Sequence, residues 1–143
     1  MRMNRVLRYL WAAPYTLVGV VLGTAGVLAG GRWRVHRGVL EFFGGRIGKA
    51  LSGMPRSLGF SAMTLGHVIL AVDRSALVQL RDHEEVHVRQ YERWGPLFVP
   101  AYLLSSLLQL LRGRNPYREN HFERQAYALT AARRRVARET SHG

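Results

Sequence analysis

The 143 residues contain no cysteine, which excludes disulfides, thiolate nucleophiles and Cys-held structural metal sites. Any metal must therefore be held by imidazole and carboxylate, a donor set suited to a catalytic site with an open coordination position. Lysine is nearly missing as well: Lys49 is the only one, so arginine carries almost all of the net charge of +12, against 9 acidic residues. Asp, Glu, Lys and Arg are absent from the apolar stretches 9–31 and 97–111, among others. Arginines border these stretches, at Arg2, Arg5 and Arg8, at Arg32, Arg34 and Arg37, and at Arg112 and Arg114. Membrane proteins distribute cations in this way, so anionic membrane lipid is the expected partner. No nucleic-acid-binding motif occurs, and no nucleic acid is expected as a partner.

The length suits one compact domain with a membrane segment. Residues 1–31 read as an N-terminal membrane anchor: the uncharged run reaches the ~20 residues that cross a bilayer's hydrocarbon core, with Trp11 near one end and Trp33 beyond the other. A cleaved signal sequence is the competing reading, with arginines first, an apolar centre and small residues at 25–31. Its apolar run is long for that purpose. Residues 32–143 form the domain proper. Alternation at 32–36, a turn at Arg37-Gly38 and the apolar 39–43 predict a hairpin ended by Gly44-Gly45. Residues 46–59, rich in Gly and Pro, read as a loop with at most one helical turn. Gly66 to Leu70 reads as a buried or edge strand inside 60–72.

A helix starting behind Asp73 or Ser75 and stopped by Gly95-Pro96 carries His83-Glu84-Glu85-Val86-His87. Residues i and i+4 share a helix face, so His83 and His87 can close on one metal ion. In a zinc hydrolase the residue after the first histidine, here Glu84, is the general base, taking a proton from a water that the metal has acidified to a pKa of ~7. The bland alternative is a solvated helix held by i,i+4 pairs such as Glu85 with Arg89. Segment 97–111 is short for a span and contains Pro100; a helix dipping into the membrane surface is expected. After the turn at 112–116, an amphipathic helix over about 117–138 turns Phe122, Ala126, Leu129 and Val136 inward.

A catalytic zinc needs a third protein ligand. Glu92 points away from the histidine pair, and Glu123 on the last helix is the better candidate, with Glu119 one turn earlier as substitute. Glu123 could instead close a capping box with Asn120. His67 reads as an ordinary polar position that could donate to an oxyanion, and Tyr91 and Tyr127 as half-buried aromatics.

With His83-Glu84-x-x-His87 and the downstream Glu123-Arg124-Gln125-Ala126, the sequence over roughly 60–130 resembles the gluzincin clan of zinc metallopeptidases, which includes membrane-embedded members. The resemblance implies a Zn2+ ion on His83, His87 and Glu123, Glu84 as base, and a peptide or protein substrate paired with the strand at 66–71. His67, Tyr91 and Tyr127 become candidates for oxyanion or substrate contacts. Tyr127 stands where the clan has an Asp that orients a ligating histidine, and Asp82 and Glu85 charge the flanks of the motif. The expectation is an α+β, membrane-anchored domain with a small sheet, its HExxH helix packed on the C-terminal helix. It would act as a metalloprotease (hydrolase). The alternative is a non-catalytic basic membrane protein with a structural metal site or none. One consequence is geometric: if Glu123 joins the histidines, segment 97–111 must return the chain to the same side of the bilayer.

Overall fold

A computed structural model describes residues 4–53 and 61–141. The fold is α+β, with elements in the order α1 (Arg5–Leu28), β1 (Arg32–His36), β2 (Val39–Phe43), α2 (Gly45–Ser52), β3 (Ala62–Leu65), β4 (Val68–Ala71), α3 (Arg74–Trp94), a 3-10 turn (Gly95–Leu97), α4 (Phe98–Leu111) and α5 (His121–Ser141). The four strands form one mixed sheet in the order β1-β2-β4-β3, in which only the β2/β4 pair is parallel. The predicted hairpin is β1-β2, with Arg37 and Gly38 both at positive φ, the backbone a two-residue hairpin turn requires.

Successive strand residues face opposite sides, and the two sides of this sheet receive different helices. Leu40, Phe42, Val68 and Leu70 turn towards α1, whereas Glu41, Thr64 and Ile69 turn towards α3. On the α3 side of β2, Glu41 is the polar residue between the apolar Val39 and Phe43. Glu41, 1% exposed, is clamped by Arg34 Nε at 2.6 Å and by Arg81 Nε and Nη2 at 2.6 and 3.1 Å. A buried carboxylate between two guanidiniums ties the hairpin to α3 and is costly to leave half-paired.

Helix α1 is built into the fold rather than set apart from it. Ala12, Gly19, Gly23 and Gly26 are its buried residues, spaced along one stripe. A Cβ at Gly19 would collide with Val68, at Gly23 with the Phe42 ring, and at Gly26 with Ile47. Gly23→Val is therefore expected to destabilise the chain by about 1–3 kcal/mol, read as a lowered thermal midpoint, while Val21→Ala on the exposed face leaves it nearly unchanged. Cleavage after residue 31 would remove one of three packed layers.

The opposite face of α1 exposes Val6, Leu7, Leu10, Leu17, Val18 and Val21, and α4 exposes Leu103, Leu104, Leu107, Leu108, Leu110 and Leu111. By length and composition, α1 and the helical run Arg74–Leu111 are apolar enough to cross a membrane; in the second the apolar part is α4, since α3 is charged.

Three local expectations are corrected. Residues 45–52 form helix α2, because Ile47, Gly48 and Leu51 pack inward and that contact outweighs a Gly-rich composition; residues 54–60 of the expected loop lie outside the described residues. The stretch read as one strand is the β3-β4 hairpin, broken at Gly66, whose positive φ turns the chain. The last helix begins at His121, not near Tyr117; Phe122 and Ala126 face inward as expected, but Leu129 and Val136 are exposed, and Glu123 and Thr130 face inward in their place.

Candidate metal centre

Asp73 caps α3, its side chain accepting from the Ala76 N–H at 2.8 Å, and the helix runs to Gly95. On its inward face His83, Glu84 and His87 are all buried. Helix α5 enters against them. Asn120, fully buried, caps it by accepting from the Phe122 N–H, and its amide donates to the Tyr102 carbonyl and the Ser106 hydroxyl of α4. Those contacts return the chain from α4. Glu123 is consequently not spent on a capping box and turns to the histidines.

Glu123 Oε2 stands 3.0 Å from His83 Nε2, Glu123 Oε1 stands 3.3 Å from His87 Nε2, and the two Nε2 atoms are 3.2 Å apart. Donors at ~2.1 Å from a tetrahedral zinc stand roughly 3.4 Å from one another. The three side chains therefore already have the spacing of a zinc ligand set, and they form a buried group able to hold a metal ion.

The charges agree with that fit. Burial alone would raise the Glu123 carboxyl, but hydrogen bonds from His83, His87 and Tyr102 and the charge of His87 hold it well below the usual carboxylate range. Burial alone would lower His87; its hydrogen bond with Glu123 and the charges of Glu84 and Glu123 outweigh this and raise it to about 9. The pocket is built to hold positive charge. A proton supplies it in the free chain.

Gln90, not singled out from the sequence, fixes the orientation of His87. Its amide nitrogen donates to the Phe122 carbonyl at 3.1 Å and to Gln125 Oε1 at 2.8 Å, which leaves its oxygen to accept from His87 Nδ1–H at 2.8 Å. Nε2 then faces the centre with its lone pair available once deprotonated. The i+3 spacing from His87 was the signal that could have found it. Gln90→Leu is expected to weaken zinc affinity about 10–100-fold, measured by competition with a chromophoric chelator.

Tyr102, also unforeseen, donates to Glu123 Oε1 at 2.7 Å. Thr64 of β3 donates to Glu84 Oε2 at 2.6 Å, and Tyr91 donates to the Thr64 carbonyl at 3.2 Å. Glu84, His87, Tyr91, Tyr102, Tyr117 and Glu123 line a cavity of about 260 Å³ that runs along β3.

The remaining sequence candidates lie elsewhere. His67 sits in the β3-β4 turn, bonded to Glu92 and stacked on Tyr9, and does not line this cavity. Tyr127 packs on the far side of His83, ring centroids 4.5 Å apart, and is 51% exposed. No described residue accepts from or donates to His83 Nδ1, so the role that an Asp would take is filled only by ring packing. Glu119 pairs with Arg124 on the surface. Of the two unexpected charges, Asp82 is exposed, while Glu85 is buried among His36, Arg37 and Arg133, each at 3.8 Å.

The strand expected to meet substrate is also placed differently. Strand β4 is interior, paired on both sides by β2 and β3, and the edge beside the cavity is β3. The Val72 N–H bonds the Ser61 carbonyl, which by alternation turns the backbone groups of Ala62 and Thr64 away from β4. Compared with known proteins, the chain matches no family model, no curated protein and no solved structure.

Proposed function

We propose that the chain is a membrane-associated, zinc-dependent peptidase of the gluzincin type. The observation that carries this reading is the convergence of His83, His87 and Glu123 from two separate helices, with His87, Glu123 and Glu84 opening on a cleft bounded by a strand edge.

His83, His87 and Glu123 would hold the ion. Bound there, zinc would supply Lewis acidity towards a carbonyl and lower the pKa of a water. Glu84 then takes the proton of the attacking water at its carboxylate and passes it to the departing amine nitrogen. Thr64 holds that carboxylate in place through Oε2, leaving Oε1 for the proton. The outward N–H and C=O of Ala62 offer ladder hydrogen bonds to an extended peptide, the strand-addition mode of recognition. Tyr117, whose hydroxyl is 3.5 Å from that of Tyr127, is the donor nearest to uncommitted on the cavity wall, since Tyr91 and Tyr102 are spent on Thr64 and Glu123.

The exposed apolar faces of α1 and α4 support a membrane location. Helix α4 carries the chain out, and residues 112–120 lead back along it until Asn120 bonds Tyr102 and Ser106, so that α5 meets α3 on one side.

The test is metal removal. In detergent, an unfolded protein substrate is expected to be cleaved, cleavage to stop on chelation, and stoichiometric zinc to restore it. Bound zinc with no cleavage at all would assign the centre a structural role.

A further inference from the structure

A second cleft, of about 740 Å³, lies on the other side of α3 from the metal centre, between the start of α1, the β1-β2 turn and the last turns of α3. Five arginines line it: Arg5 and Arg8 from α1, Arg37 from the turn, and Arg89 and Arg93 from α3. Two carboxylates oppose them. Glu92 pairs with Arg8 at 3.6 Å, and Glu85 is shared with Arg37 at 3.8 Å. Among the described residues Arg5, Arg89 and Arg93 have no acidic partner, so the cleft keeps an excess of positive charge.

Beside the cleft one buried polar atom lacks a partner among the described residues. His67, 4% exposed, lines the cleft beneath Tyr9, whose ring stacks on it at 3.9 Å. His67 Nε2 is bonded to Glu92 Oε1 at 3.1 Å, and Nδ1 is buried with no hydrogen-bond partner among the described residues.

Helix α1 adds the reason to choose among anions. Over its first turns Arg5, Arg8 and Tyr9 face the cleft, while Val6, Leu7 and Leu10 face outward and are exposed. A ligand seated here meets guanidiniums on one side and a continuous apolar helix face on the other. We propose that the cleft binds an anionic glycerophospholipid, its phosphate on the arginines and its acyl chains along the outer face of α1. This deepens the membrane reading of α1 and rests on it. It also places the start of α1 at the bilayer surface.

The test uses the full chain in nonionic detergent, titrated with dioctanoyl-phosphatidylglycerol or dioctanoyl-phosphatidylcholine and followed by tryptophan emission. The glycerol lipid is expected to bind at least about tenfold more tightly. Arg89→Gln with Arg93→Gln, both exposed positions, should weaken it roughly thirty-fold, two surface charges' worth. Arg114→Gln with Arg118→Gln removes the same charge elsewhere and should leave affinity within about twofold. Equal losses in both pairs, or no preference between the lipids, would overturn the site. Displacement of lipid by millimolar inorganic phosphate would show a free-anion site instead and overturn the lipid assignment. Zinc content measured on the same variants separates these outcomes from failure of the metal centre, and fractionation of the chain with membranes separately tests the location of α1.

Discussion

Glu84→Gln is expected to leave zinc bound at one ion per chain and to lower peptide hydrolysis by about 10²–10⁴-fold. The amide keeps the size of the side chain and can still accept from Thr64 Oγ1, so the helix, the cavity and the ligand set stay as they are. What it loses is the ability to take a proton. The carboxylate is 5% exposed and close enough to influence the charge on His87, so no other acid beside the cavity is placed to substitute: Glu123 is committed to His83, His87 and Tyr102. A fall in cleavage together with a fall in zinc would instead mean that Glu84 shapes the site. The paired measurement of metal content and rate distinguishes the two.

Removal of a ligand is expected to have the larger effect on metal. His87→Ala or Glu123→Ala should reduce zinc affinity by more than the ~100-fold that loss of an outer hydrogen-bond partner can cost, and abolish cleavage with it. The sign of the pH dependence follows from the free chain. His87 holds a proton up to about pH 9, and that proton must leave before Nε2 can donate to a metal. Zinc binding therefore releases a proton at neutral pH, and apparent affinity rises with pH towards about 9. Calorimetry in buffers of different ionisation enthalpy reads that release directly, and His87→Ala removes it.

Much of this arrangement was legible in the sequence because it depends on periodicity. The i,i+4 histidines, the Asp73 cap, the Gly95-Pro96 stop and the Arg37-Gly38 turn each follow from local backbone rules, and each lies where expected. Glu123 was readable as a candidate to meet the histidines, but a capping box competed for the same side chain. The competition was decided by Asn120, whose amide reaches back to α4 and leaves Glu123 free, a tertiary contact that no local pattern contains. Strand order was equally hidden. The stretch at 60–72 has enough apolar residues for one strand, and only the turn at Gly66 against Thr16 of α1 shows it to be two, with β3 outermost.

The polar residues missed at the site share a cause. Gln90, Thr64 and Tyr102 act on Glu84, His87 and Glu123 through hydrogen bonds, and two of the three come from other elements. His67 misled for the opposite reason: it sits one hairpin turn from the cavity strand, yet faces α1 and Glu92. The inward turn of Glu123 and Thr130 in place of Leu129 and Val136 likewise reflects a buried face that mixes polar residues with Phe122 and Ala126, which an apolar periodicity alone does not contain.

Metal content of the purified full chain, measured by elemental analysis for the wild type and for Glu123→Ala under the same conditions, is the most direct test of the shared centre. One zinc per wild-type chain, lost in Glu123→Ala while the variant still folds, is the expected result. A wild-type chain that binds no zinc from a stoichiometric supply, or a folded Glu123→Ala that binds it as tightly, would contradict a centre built from both helices.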